Sequence, residues 1–128
     1  MNVSKNPLSP HLQIYRWHIS SLVSITHRIS GVINLLALLL IFFWLLVLGF
    51  NQNNYEFFLL IFNSFFGKFI LIGFTWSMSF HILSGIRQLI LDLGYGFKIE
   101  TANISGTIVI ISSLILTVVF WMLARGFI

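Results

Sequence analysis

Leu35–Phe50 reads LLALLLIFFWLLVLGF, sixteen residues without a charged or strongly polar side chain. A helix crossing the bilayer core needs about 20 mostly apolar residues, and this run reaches that length by extending back to Leu22. Asn51-Gln52-Asn53-Asn54 then ends it and marks its emergence into water. Only helices and closed barrels satisfy their backbone inside lipid, and an apolar run without alternation excludes a barrel strand. The segment therefore reads as a transmembrane helix over about residues 22–50.

A second apolar region begins near Phe57, but Asn63, Ser64, Gly67 and Lys68 interrupt it early. We read Phe57 to Phe65 as a short interfacial piece and residues 69–91 as the spanning helix, with the Lys68 stem snorkelling at its start. Asp92 and Gly94-Tyr95-Gly96 mark its end, and a third apolar span covers about 104–124. The expected fold is an all-α membrane protein with three transmembrane helices. It is part of a multi-subunit helical bundle, because three isolated helices bury little by themselves. A polar N-terminal segment over 1–21 precedes the transmembrane domain, 22–128. No internal repeat is evident.

Composition agrees. Hydrophobic residues make up 58% of the chain and charged residues 8%, against about 25% charged in an ordinary soluble domain. Most of the surface must face lipid or protein, leaving no room for a soluble catalytic module. With no cysteine, disulfides and cysteine-ligated iron–sulfur clusters are excluded. A net charge of +4 from seven basic and three acidic residues is too sparse for nucleic acid and suits orientation in a bilayer. Lys5, Arg16, Arg28, Arg87 and Lys98 fall on one side, Lys68 and Arg125 on the other. This bias places the N-terminus in the cytoplasm or matrix. No secretory signal or Arg-rich presequence is visible. A bacterial inner membrane is the simpler expectation, a mitochondrial inner membrane the other.

A few residues stand out because lipid does not tolerate them: a central Arg or Asp costs about 2.5–3.5 kcal/mol on insertion scales. His81 lies eleven residues before Asp92, a rise of roughly 16 Å that puts it near mid-membrane. It is either a histidine bonded to a neighbouring helix or an axial ligand to haem iron. Gly85, one turn away, leaves room for a flat macrocycle or a close helix. His27 and Arg28 approach the depth of Arg87 and Gln88, where a haem on His81 would place its propionates. Arg pairs bidentately with carboxylate; the alternative for both arginines is snorkelling to the headgroups. Ser24 and Arg28 are four apart, share a helix face, and could bond a quinone carbonyl; the alternative is a serine bonded to its own backbone. His11 and His18 read as surface histidines, and Trp17, Trp76, Trp121 and Tyr95 as interfacial anchors or packing residues. Asn103-Ile104-Ser105 is a chance glycosylation sequon on the inner side.

A six-coordinate b-type haem needs two axial ligands, so either His27 or another polypeptide completes His81. Their expected depths differ by several ångströms, which favours a haem shared between subunits. Nothing in the chain oxidises an organic substrate, so an external redox protein must feed the site.

Three blocks carry a family resemblance: Asn6-Pro7-Leu8-Ser9-Pro10-His11-Leu12-Gln13-Ile14-Tyr15, Ser24-Ile25-Thr26-His27-Arg28-Ile29-Ser30-Gly31, and the stretch from His81-Ile82-Leu83-Ser84-Gly85-Ile86-Arg87-Gln88 to Asp92-Leu93-Gly94-Tyr95-Gly96. In that order they resemble the cytochrome b subunit of succinate dehydrogenase, the larger membrane anchor of respiratory complex II. The resemblance implies that His81 ligates haem b, the smaller anchor subunit supplying the second histidine. It implies His27 and Arg28 beside the propionates, and Ser24 and Arg28 at the ubiquinone site. It also implies an iron–sulfur subunit and a flavoprotein that oxidises succinate, so that the chain serves an enzyme without being active alone. Gln88 stands where the family usually has histidine and cannot titrate near neutral pH; Asn6 replaces an arginine and Leu91 a tryptophan. Other readings are the anchor of a fumarate reductase, a transporter with His81 and Arg87 as a proton relay, and a haem-free anchor.

Overall fold

A computed structural model describes residues 17–50 and 54–126. Lys5, Arg16, His11 and the block Asn6 to Tyr15 lie outside the described residues, as do Asn51 to Asn53 of the polar stretch. Among the described residues four helices follow one another: α1 (Ile19–Phe50), α2 (Asn54–Asn63), α3 (Phe65–Asp92) and α4 (Ile99–Gly126). The first, third and fourth are long and apolar enough to cross a membrane. Each contains one expected span and extends a little beyond it. The described part of the chain is all-α, as expected.

The interfacial piece expected around 57–65 forms the short helix α2, and Ser64 separates it from α3. The Ser64 hydroxyl accepts from the Gly67 amide at 3.1 Å, capping α3, and donates to the Ile61 carbonyl at 2.5 Å. A Cβ on Gly67 would fall 2.1 Å from that same carbonyl oxygen and 2.8 Å from the Phe62 Cα. Only glycine lets the first turn of α3 fold so closely against α2. Lys68 consequently lies inside the first turn of α3, not ahead of it.

At the other end of α3 the Gly94 amide donates to the Leu91 carbonyl at 2.9 Å and the Tyr95 amide to Ile90 at 3.3 Å. This paired closure of a helix C-terminus needs a left-handed residue after the cap, and Gly94 supplies it at φ +94°. The exit read from Gly94-Tyr95-Gly96 is thus a Schellman turn.

The interior reverses the pattern of a soluble bundle. Its buried apolar core is small: Val23, Phe80 and Val109, with Trp76, Leu83 and Ile110 packed against it. Ser30, Ser77, Ser79, Ser84, Ser113 and Thr117 are buried between the helices, while residues such as Phe50, Leu60 and Phe66 face outward. Lipid is as apolar as leucine, so helices in it associate through small side chains that let backbones approach. Gly106 of α4 does this against α1, where a Cβ would lie 3.0 Å from the Ile19 side chain. α3 packs against each of the other three helices, which places His81 and Arg87 at the centre.

Candidate functional site

Three side-chain contacts set the register of α1 against α3. Ser20 meets Arg87, His27 meets Ser84 and Ser30 meets His81. One number falls as the other rises, so the helices run antiparallel and the beginning of α1 lies beside the end of α3.

His27 and His81 stack face to face, centroids 4.1 Å apart and planes 6° from parallel. The rings meet although the backbones keep the expected difference in depth of several ångströms. α1 begins at Ile19, three residues before the expected Leu22. Residue 27 is level with 84 and residue 30 with 81, and the offset of three residues, roughly 4.5 Å, is spanned by the side chains. Coaxial ligands must point their nitrogens at each other along one line through the iron. The two stacked rings do not stand in that arrangement.

Each imidazole is held through Nδ1. His81 Nδ1 approaches the Ser30 hydroxyl at 3.0 Å and the His27 carbonyl at 3.2 Å. A carbonyl only accepts, so Nδ1 carries the proton and Nε2 the lone pair. Ser30 donates its own proton to the His27 carbonyl at 2.8 Å. His27 Nδ1 lies 2.6 Å from the Ser84 hydroxyl, which also reaches the Phe80 carbonyl at 2.7 Å and the His81 carbonyl at 3.1 Å. This is the donor pattern of a metal-binding histidine, whose second nitrogen is fixed by a hydrogen bond. No group of three His, Cys, Asp or Glu residues gathers among the described residues. His81 is half-buried on α3, and with Nδ1 so engaged its Nε2 is the nitrogen that could serve a metal as ligand.

Beside the stack, a cleft of about 170 Å³ is lined by Val23, Ser24, His27, Arg28, Ser84, Arg87 and Gln88. The structure thus brings together Ser24, His27 and Arg28. His81 stands behind His27, outside the lining. Ser24 and Arg28 are exposed at the rim. The lining holds two guanidinium groups and no carboxylate, so it favours a ligand with oxygen acceptors or negative charge.

Arg87 differs from its sequence reading. It is 7% exposed, so it does not snorkel. Its Nε donates to Ser105 at 2.9 Å, and one terminal nitrogen donates to Ser20 at 3.2 Å and the Ala102 carbonyl at 3.0 Å. One side chain thus fastens α3 to α1 and α4. The sequence reading passed over Ser20, Ser30, Ser84 and Ser105. A signal was present for two of them: the pentad His-x-x-Ser-Gly occurs at 27–31 and again at 81–85, a short repeat in a chain that otherwise shows none.

Residues 2–120 match a family model described as the succinate dehydrogenase/fumarate reductase transmembrane subunit. The chain is 42% identical to the succinate dehydrogenase cytochrome b556 subunit of Rickettsia prowazekii, over 92% of each chain. It is 36% identical to the subunit of the same name from Paracoccus denitrificans, over 92% of this chain and 91% of that one. The mitochondrial succinate dehydrogenase cytochrome b560 subunit of Mus musculus is 35% identical over 86% of this chain and 67% of its own length.

Proposed function

Because the chain belongs to the succinate dehydrogenase/fumarate reductase transmembrane subunit family, we propose that it is the cytochrome b anchor of a succinate:ubiquinone oxidoreductase. In this reading His81 gives one axial ligand to haem b, and a smaller anchor subunit gives the other. An iron–sulfur subunit and a flavoprotein dock on the side where α1 begins and α3 ends, the cytoplasmic or matrix side. The membrane is a bacterial inner membrane or its mitochondrial counterpart. The relatives' names favour succinate oxidation over fumarate reduction as the working direction.

The observation that carries the reading is the commitment of His81 Nδ1 to Ser30 and the His27 carbonyl, which leaves Nε2 as a ligand. Haem b, when bound, supplies a one-electron carrier within the span. The chain's own residues do the remaining work. His27 covers one face of the His81 ring and, with Arg28, would hold the propionates of a bound haem. Ser24 and Arg28, at the cleft rim, donate hydrogen bonds to a ubiquinone carbonyl oxygen. As reduction loads negative charge onto that oxygen, a guanidinium beside it stabilises the charge without having to reorganise. Arg87, held by neutral oxygens, adds positive potential from behind.

The test is a reduced-minus-oxidised visible spectrum of the purified complex, for wild type and His81→Ala. A b-type α-band that disappears or shifts in the variant is the expected result. A wild-type complex without the band would sink the haem assignment, and quinone reductase activity would then separate a haem-free anchor from a transporter.

A further inference from the structure

Antiparallel packing turns the two His-x-x-Ser-Gly pentads into a reciprocal brace. Ser30 of α1 receives the Nδ1 proton of His81 on α3, and Ser84 of α3 pairs with Nδ1 of His27 on α1. Ser30 can accept because its own proton goes to a main-chain carbonyl. The glycines follow the same exchange: a Cβ on Gly31 would lie 3.3 Å from Cε1 of His81, and one on Gly85 3.8 Å from Cε1 of His27.

We propose that Ser30 is a positioning residue for His81: its hydroxyl holds the Nδ1 proton, fixes the tautomer that presents Nε2, and strengthens electron donation from Nε2 to the iron. Gly31 keeps the space in which the ring is held. The proposal rests on the reading of His81 as haem ligand and adds to it the group that tunes the ligand. A hydrogen bond to the remote N–H of a metal-bound imidazole fixes the ring and raises its basicity. Ser30 is 1% exposed, so water cannot replace its hydroxyl. Its backbone carbonyl separately accepts from Ser77 at 3.1 Å, a bond between α3 and α1 that reaches no imidazole. Without the hydroxyl, the His27 carbonyl at 3.2 Å is the one remaining partner. Donation to the iron then weakens, the oxidised haem is less stabilised, and the midpoint potential moves upward.

The experiment is a potentiometric titration of the haem band, with low-temperature EPR of the oxidised haem, on the assembled complex. Wild type, Ser30→Ala, Ser30→Thr and Ser77→Ala are compared. Ser77 is 0% exposed and also bridges α3 to α1, but its bond reaches no imidazole, so it reports packing alone. The expected result is an upward shift with altered g values in Ser30→Ala, return toward wild type in Ser30→Thr, and no shift in Ser77→Ala. An unmoved potential in haem-replete Ser30→Ala, or an equal shift in Ser77→Ala, overturns the proposal and leaves the haem reading standing. Absence of haem from wild type overturns both. If Ser30→Ala does not assemble, electron–nuclear double resonance on wild type decides the matter. A hydrogen-bonded exchangeable proton on the remote imidazole nitrogen supports the proposal, and its absence overturns it.

Discussion

His27 and His81 lie ring on ring, 4.1 Å between centroids and 6° from parallel, although fifty-four positions separate them in the chain. Each is fixed by a serine on the other's helix, so neither ring can turn toward the other's nitrogen without breaking its own hydrogen bond.

His27→Ala therefore keeps the b-type band while His81→Ala loses or shifts it. Haem per complex, from extracted-haem absorbance, checks this. A His27→Ala complex emptied of haem would contradict it.

At the cleft rim, Arg28 and Ser24 are expected to differ in weight. A hydrogen bond from a charged donor is worth roughly 1.5–3 kcal/mol and a neutral one about 1. On that scale Arg28→Ala lowers kcat/KM for ubiquinone by about tenfold or more, and Ser24→Ala by about fivefold. Arg28→Lys recovers part of the loss because it keeps charge but not the fork. Steady-state succinate:quinone reductase kinetics over a range of short-chain ubiquinones provide the check; equal effects at the two positions would contradict it.

Arg87→Ala is a stability variant first. It removes three hydrogen bonds that join α3 to α1 and α4 and leaves their oxygens without that donor. Bonds between membrane helices average roughly 0.6 kcal/mol, so the loss is about 2 kcal/mol, read as a lower Tm of the detergent-solubilised complex. Arg87→Lys, with one compact ammonium in place of the fork, is expected to recover less than half of it.

Gly67→Ala tests the α2–α3 junction. A methyl 2.1 Å from the Ile61 carbonyl meets backbone, which cannot swing away as a side chain can. Overpacking of this kind costs about 1–3 kcal/mol. The complex should assemble less well or melt earlier, with the haem spectrum unchanged in what does assemble. Gly49→Ala, whose Cβ would meet nothing within 4 Å, is the neutral comparison.

The sequence by itself determined the three long helices and where α1 and α3 end. Length and apolarity are local quantities, so the runs ending at Phe50 and Asp92 could be read directly, as could the turn at Gly94-Tyr95-Gly96. It also singled out Ser24, His27, Arg28 and His81, because a polar group in an apolar run is conspicuous wherever it later points. Only the tertiary structure decided which of them meet. The stacking of His27 on His81 and the inward turn of Arg87 depend on the register of α1 against α3. That register is set by close approaches such as those at Gly31 and Gly85 and by serines whose hydroxyls cross between helices. A serine facing a neighbouring imidazole and one bonded to its own backbone have the same one-letter code, and distance across the helix interface is what separates them.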